Sequence, residues 1–106
     1  MIQALRDDYL EQELAALPDW HYVPDRKAIY RQLRFSDFGQ ALGAMVRIGL
    51  EAEKADHHPE WANVYNVLDI WLTTHDAEGV SNQDIALARK INAIANNAGN
   101  HTSTLD

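Results

Sequence analysis

Hydrophobic and polar residues alternate along the chain with two different periods. Over three stretches the apolar residues recur every three or four positions, which predicts three amphipathic helices. The first should end before Pro18, and the second should follow Ser36 as its N-cap. The third should begin where Ser81 and Asp84 have the spacing of a capping box. The expected apolar faces consist of Leu5, Tyr9, Leu10, Leu14 and Leu17, then Phe38, Ala41, Leu42, Met45, Ile48 and Ala52, and finally Ile85, Leu87, Ala88, Ile91 and Ile94.

Shorter stretches between these helices follow a period of two, which is typical of β-strands. They predict four strands, at residues 20–23, 28–35, 61–66 and 67–74. Pro24 favours a tight turn between the first two strands, and a second tight turn should lie near Asn66. In the last strand, His75 falls on the side opposite Leu68, Ile70 and Leu72, so we expect it to point away from the core.

The predicted order is helix, two strands, helix, two strands, helix. This order favours an α+β fold, a two-layer sandwich in which three helices pack on one face of a four-stranded antiparallel sheet. Residues 1–95 should form a single domain. Residues 96–106 are polar and without a period, so we expect them to form a disordered tail.

Composition excludes several classes of function. The hydrophobic fraction of 46% and the charged fraction of 24% are ordinary for a globular domain, and no apolar run is long enough to span a membrane. We therefore expect a cytoplasmic protein without a membrane contact. The net charge of −7 argues against binding to nucleic acid, and the absence of cysteine removes disulfides, thiolate nucleophiles and cysteine zinc sites.

Three of the five histidines lie in two short motifs, EKADHHPEW at residues 53–61 and TTHD at residues 73–76. An imidazole titrates near neutrality, so His57, His58 and His75 would form an acid–base site if the fold brings them together. Because Pro59 disfavours helical geometry at His58, the chain should pass through the histidine pair in an extended conformation.

Neighbouring side chains leave alternatives open. Glu53 and Asp56 either orient an imidazole or are solvated acids at a helix end, and Trp61 forms either core or pocket wall. Asp84 is better explained as a helix cap than as a site residue. The histidines and Asp76 are metal-ligand types, but the helical His-Glu-x-x-His spacing is missing, so we expect no metal.

These motifs closely resemble those of the pterin-4a-carbinolamine dehydratase family. The resemblance covers roughly residues 20–94, and its specific part is EKADHHPEW followed by NVYN at residues 63–66 and THD at residues 74–76. It also includes Trp20, Ile29, Phe35, Asp37, Phe38, Ala41, Met45, Ala52, Gly79 and Asp84. The resemblance implies the same α+β fold and a hydro-lyase that converts 4a-hydroxytetrahydropterin to quinonoid dihydropterin. Such an enzyme recycles the cofactor of aromatic amino-acid hydroxylases and needs no metal or organic cofactor.

The resemblance also implies roles for individual residues. His57, His58 and His75 match the family's active-site histidines. Our hypothesis is that His57 and His75 act as general acids on the 4a-hydroxyl, whereas His58 binds the pterin or accepts the N5 proton. The expected substrate-binding residues are Asp56, Trp61, Asp76 and Glu53.

Partners follow from the same resemblance. Family members pair through sheet edges and some pair again through helices, which implies a homodimer or homotetramer. Animal members also serve as a dimerisation cofactor for a homeodomain transcription factor, so a protein-interaction module is the alternative function. A third possibility is a pterin-binding helper in another pathway, such as molybdenum cofactor handling. Ala44 and Gly49 differ from what we expect in animal relatives, which bears on the assembly.

Overall fold

The computed structural model of the protein describes residues 2–97. Three helices and four strands follow one another in the predicted order. They are α1 (Asp7–Ala15), β1 (His21–Val23), β2 (Ala28–Arg34), α2 (Phe38–Ala55), β3 (Glu60–Val64), β4 (Val67–Leu72) and α3 (Asn82–Asn97). Two single-turn 3-10 helices, Pro24–Arg26 and His75–Ala77, follow β1 and β4.

The strands form one antiparallel sheet in the order β1-β2-β4-β3. Its central strands pair Ile29 with Leu72 and Leu33 with Leu68, and all four of these side chains are fully buried. Residues of all three helices pack into the same hydrophobic cluster. The predicted α+β fold is therefore confirmed, and the alternation in β4 is as expected.

The start of α2 differs from the prediction by one residue. Its N-cap is Asp37, whose carboxylate accepts a hydrogen bond from the backbone N–H of Gln40 at 2.8 Å. Ser36 is an equally suitable residue type, but it lies one position too early to reach the first turn. At α3 one of the two bonds of the predicted capping box is present: Asp84 Oδ2 accepts from the N–H of Ser81 at 2.8 Å. The Ser81 hydroxyl accepts from the N–H of Gln83 at 3.2 Å, and not from that of Asp84.

The apolar face assigned to α2 also needs correction. Ala41, Ile48 and Ala52 are buried as predicted, but Phe38 and Leu42 are 44% and 46% exposed. They point away from the core because α2 carries apolar residues on two sides, and periodicity alone does not distinguish the two. Ala44 completes the buried side.

One arginine lies on the core side of β2. Arg31 is buried, forms an ion pair with Asp19 at 3.5 Å and donates to Asn92 Oδ1. The same amide oxygen accepts from Trp20 Nε1 at 2.8 Å. Burial lowers the pKa of Arg31 below its usual value, and Asp19 opposes that shift. This polar cluster fixes α3 against the first half of the sheet.

The opposite face of the sheet is partly covered by its own side chains. The rings of Tyr30 and Trp71 are 5.2 Å apart between centroids, and the Tyr30 hydroxyl donates to Asp69 Oδ1 at 2.5 Å. Burial, followed by the contact with Asp69, raises the pKa of Tyr30 to about 12. The guanidinium of Arg26 stacks over Trp71 with its Cζ atom 3.8 Å from the ring centroid.

Chain segments near the ends of the elements deviate slightly from expectation. The turn between β3 and β4 lies at Tyr65 and Asn66, and Tyr65 adopts a left-handed conformation with φ 52°. α3 continues through Asn97, so the first two residues of the predicted tail are helical. The rest of that tail lies outside the described residues, and the single-domain boundary stays a prediction.

No helix within residues 2–97 is long and apolar enough to cross a membrane.

The capping geometry of α2 makes a testable prediction. Asp37→Ala should lower the free energy of unfolding by about 1 kcal/mol, because the N–H of Gln40 loses its partner. Ser36→Ala should change it by less than about 0.5 kcal/mol. Urea denaturation of both variants measures the difference, and an equal loss in the two would contradict the assignment of the cap.

Candidate active site

An open cleft forms where the segment after α2 meets the end of β4 and the start of α3. It has a volume of about 380 Å³. It is lined by Ile2, Asp56, His57, His58, Thr73, Thr74, His75, Asp76 and Gln83. The structure thus brings together the three histidines that the sequence singled out, although 18 positions separate His57 from His75.

The end of α2 sets the direction of the histidine pair. Asp56 adopts a left-handed conformation with φ 52°, and the N–H of His57 donates back to the carbonyl of Ala52 at 3.1 Å. The chain then continues outside any helix or strand until β3 begins at Glu60, and the two histidine side chains differ in exposure. His57 turns inward with 10% of its side chain exposed, whereas the side chain of His58 is 56% exposed.

A buried carboxylate lies behind His57. Nε2 of His57 is 2.5 Å from Oδ1 of Asp84, which is fully buried. The other carboxylate oxygen of Asp84 accepts from Thr74 Oγ1 at 2.8 Å and from the N–H of Ser81 at 2.8 Å. Because Thr74 uses its single proton on Asp84, the 2.6 Å contact between the two hydroxyls requires Ser81 Oγ to donate to Thr74. Asp84 is therefore both the helix cap and the partner of a cleft histidine.

The other two histidines also contact carboxylates. Nε2 of His58 is 2.8 Å from Oε1 of Glu53, and Nε2 of His75 is 2.7 Å from Oε2 of Glu60. As expected, the side chain of His75 points away from the core and is 80% exposed, although the residue lies in the 3-10 helix after β4 and not in the strand. Glu60 was not singled out by the sequence, although its place beside Trp61 at the start of a strand next to β4 could have indicated it.

These contacts determine which imidazole nitrogen is available for chemistry. An ionised carboxylate only accepts hydrogen bonds, so Nε2 carries the proton in each of the three contacts. That arrangement leaves Nδ1 to exchange a proton with a bound molecule, as an acceptor in the neutral ring and as a donor in the imidazolium. A cleft with three such groups can protonate one atom of a ligand and deprotonate another.

Not every predicted residue lies at the cleft. Trp61 is not among the lining residues: it pairs with Ile70 on the helix-facing side of the sheet and packs against the core. Glu53 reaches the site only through His58. Asp56 and Asp76 line the cleft and are exposed, and within residues 2–97 no hydrogen bond joins the Asp56 carboxylate to an imidazole.

Two cleft residues come from parts of the chain that the sequence did not indicate. Ile2 reaches the cleft because the N–H of Leu5 donates to the carbonyl of Val80 at 2.8 Å, which holds the first described residues against the end of the sheet. Ala4 also lies against Gly79, where an added Cβ would come within 3.2 Å of it. Gln83 enters from the first turn of α3. No local pattern signals such contacts.

Metal binding was a competing explanation for this cluster of side chains. Across residues 2–97, no group of three or more His, Cys, Asp or Glu side chains is arranged to hold a metal ion. The expectation that the site needs no metal stays a prediction.

The fold and the cleft define a small α+β protein with three histidines gathered at one cleft. The sequence pattern of the pterin 4 alpha carbinolamine dehydratase family matches residues 3–94. The chain therefore belongs to this family of hydro-lyases.

Individual relatives agree with the family match. A protein of Rhizorhabdus wittichii named pterin-4-alpha-carbinolamine dehydratase is 52% identical over 94 residues, which are 89% of this chain and 97% of the relative. A protein of the same name from Burkholderia cenocepacia is 48% identical over 98 residues, or 92% and 96% of the two chains. The crystal structure of a transcriptional coactivator/pterin dehydratase from Brucella melitensis superimposes with a TM-score of 0.85 at 47% identity, covering 88% of this chain and 99% of that one.

Replacement of the buried carboxylate gives a prediction for stability. In Asp84→Asn the amide can no longer accept all the hydrogen bonds that reach the two carboxylate oxygens, so a buried donor loses its partner. We expect the free energy of unfolding to fall by about 1–3 kcal/mol, measured by urea denaturation. Asp76→Asn, an exposed change in the same cleft, is the control and should have little effect. Equal stability of the two variants would contradict the role given to Asp84.

Proposed function

We propose that this protein dehydrates a 4a-hydroxytetrahydropterin to the quinonoid dihydropterin and that His57, His58 and His75 supply the acid and base groups. Family membership and the names of the relatives support the reaction. The observation that carries the mechanism is the convergence of three imidazoles on one cleft, each held at Nε2 by a carboxylate.

The reaction needs one acid and one base. Loss of water breaks the bond between C4a and the hydroxyl oxygen, adds a proton to the leaving hydroxyl and removes the proton on N5, so that a C4a–N5 double bond forms. His57 and His75 are the proposed acids. Each lines the cleft with an imidazole whose Nε2 atom contacts a carboxylate, that of Asp84 or of Glu60. His58 is the proposed acceptor of the N5 proton, and its exposure lets that proton pass on to solvent.

The dimensions and lining of the cleft support a bicyclic ligand. Its volume lies within the range of about 300–1,000 Å³ that is usual for small-molecule sites. Asp56 and Asp76 offer carboxylates to the amino and ring N–H groups of a pterin, and Ile2 offers an apolar contact. Glu53 and Trp61 would act indirectly, by holding His58 and by packing β3 against the core. An aromatic amino-acid hydroxylase would supply the substrate.

The catalytic assignment is tested by removing single imidazoles. We expect His57→Ala and His75→Ala each to lower the dehydratase rate by roughly 10²–10⁴-fold, because each removes a general acid. The His57 variant should also be less stable, because the buried Asp84 carboxylate loses a donor, so its rate is measured at a temperature where the variant is folded. The measurement is stopped-flow decay of enzymatically generated 4a-hydroxytetrahydropterin, with circular dichroism to check folding.

The control is His21→Ala, an exposed change on β1 that lies outside the cleft. A near-normal rate in both cleft variants would overturn the assignment.

Chelators should leave the wild-type rate unchanged, and loss of activity that zinc restores would favour a metal mechanism instead.

We also propose that the chain forms a homodimer or homotetramer through α2. Four large apolar side chains follow one another at every fourth position of this helix, and they are between 44% and 61% exposed. We call them the α2 stripe: Phe38, Leu42, Val46 and Leu50. A contiguous exposed apolar row on a small domain is typical of an interface. Nothing lies within 4 Å of the positions where Gly43 and Gly49 would carry a Cβ, so a second helix can approach closely.

The α2 stripe also supports the second candidate function, a protein-interaction module. The related structure from Brucella melitensis is described as a transcriptional coactivator as well as a pterin dehydratase. A different protein could occupy the stripe in place of a second copy of this chain. The histidine cleft favours the enzyme as the principal role.

A charge placed in the stripe tests the assembly. Val46→Glu should lower the molar mass in solution, because a buried carboxylate would oppose helix pairing, whereas Gln40→Glu adds the same charge outside the stripe. Size-exclusion chromatography with light scattering gives the masses. A monomeric wild type, or an oligomer that Val46→Glu leaves intact, would exclude pairing through α2 and leave the stripe to another partner.

A further inference from the structure

Four side chains form a continuous line of contacts from the outer face of the sheet to the cleft. Oε2 of Glu60 is 2.7 Å from Nε2 of His75, and Oε1 of the same carboxylate accepts from Nη2 of Arg26 at 3.1 Å. The Arg26 guanidinium in turn stacks on Trp71. We refer to Trp71, Arg26 and Glu60 as the His75 support.

The sheet register produces this arrangement. Glu60 is the first residue of β3 and lies directly opposite Trp71 of β4. Arg26 belongs to the 3-10 turn after β1 and reaches across to both. The support therefore draws on three separate segments, and none of its members lines the histidine cleft itself.

His75 needs such a support more than His57 does. His57 is enclosed and faces a fully buried carboxylate, whereas 80% of the His75 side chain is exposed. An exposed side chain changes rotamer within picoseconds to nanoseconds unless contacts hold it. Among residues 2–97, the hydrogen bond to Glu60 is the contact that fixes the direction of this imidazole.

Arg26 stabilises the ionised form of the Glu60 carboxylate. The hydrogen bond from Arg26, followed by that from His75, holds the pKa of Glu60 below its usual value. The carboxylate is therefore ionised at neutral pH, and it accepts from Nε2–H of His75 and leaves Nδ1 for the substrate. Stacking on Trp71 fixes the plane of the guanidinium, which a lysine at this position would not reproduce.

His75 lies between two cavities that contain other charged groups besides Glu60. One cavity is a separate hollow of about 360 Å³, and the other is the cleft. The charged or titratable residues that line the two are Arg26, Lys27, Glu60 and Glu78 in the hollow and Asp56, His57, His58 and Asp76 in the cleft. Glu78 carries the same charge as Glu60 in the same hollow. Its backbone N–H donates to the carbonyl of His75 at 3.0 Å, but within residues 2–97 no hydrogen bond joins its carboxylate to the His75 imidazole.

We propose that Glu60, held in place by Arg26 and Trp71, is a positioning residue that keeps His75 oriented and protonated at Nε2 for proton donation from Nδ1. The proposal rests on the dehydratase function proposed above. It goes beyond the histidine motif by assigning a role to three residues outside the cleft.

The kinetic test uses a double-mutant cycle. Glu60→Gln should lower kcat by about 10–100-fold with little change in KM, because the substrate contacts remain. The same change made in the His75→Ala background should have almost no further effect, because its target is gone. Glu78→Gln is the matched control and should leave kcat unchanged. An equal loss from Glu60→Gln in both backgrounds, or no loss in either, would overturn the proposal.

The pH dependence supplies a second readout that a merely structural role would not move. The hydrogen bonds from Arg26 and His75 hold the pKa of Glu60 below its usual value, so in wild type the contact with His75 should persist as the pH falls until that carboxylate is protonated. Arg26→Lys lacks the planar guanidinium and should lose rate at a higher pH on the acidic side than wild type, whereas Glu60→Gln has no carboxylate at this position and should lack this acidic decline. Identical profiles in all three proteins would contradict the mechanism.

An NMR measurement separates this proposal from the function on which it rests. Nitrogen chemical shifts of the His75 ring should report the Nε2–H tautomer in wild type and a mixture of tautomers in Glu60→Gln. An unchanged tautomer would overturn the positioning role. If the protein lacked dehydratase activity but the His75 tautomer still depended on Glu60, the proposed reaction would be rejected and the positioning role of Glu60 would stand.

Discussion

The buried carboxylate of Asp84 is the constraint on which the cleft depends. A charge without exposure to solvent is costly unless several donors satisfy it, and the donors here come from three places: His57 after α2, Thr74 after β4 and Ser81 before α3. Its position in the first turn of α3 is also electrostatically favourable. Because displacement of any donor would leave part of the charge unsatisfied, the chain cannot fold well without also assembling this side of the cleft.

The three histidine–carboxylate pairs differ in how firmly they are held. His57 and Asp84 are enclosed, whereas the pairs of His58 with Glu53 and of His75 with Glu60 are open to solvent. Solvent-exposed ion pairs contribute little to stability, so the two outer pairs orient their imidazoles without adding much to the free energy of unfolding. The site thus combines one enclosed pair with two open pairs, and a bound ligand that excludes water would strengthen the open pairs.

Features that depend on neighbouring residues could be predicted from the sequence, and features that depend on tertiary contacts could not. Periodicity located the helices and strands. The expected exposure of His75 is also correct, but the residue lies in the 3-10 helix beyond β4, so the alternation from which it was predicted does not extend to it. The same alternation places Trp61 on the core side of β3, although its closeness to the histidines in sequence suggested the cleft. The contact of His57 with Asp84 spans 27 positions. No local sequence rule indicates that Asp84, in the first turn of α3, lies against His57, which follows the end of α2.

The position of Ile2 has a practical consequence for handling the protein. The backbone bond between Leu5 and Val80 brings the first described residues to the wall of the cleft. An affinity tag placed next to Ile2 would therefore lie close to the histidines, where it would crowd the entrance of the cleft and add its own charges. A tag attached at a site distant from Ile2 leaves this entrance unchanged.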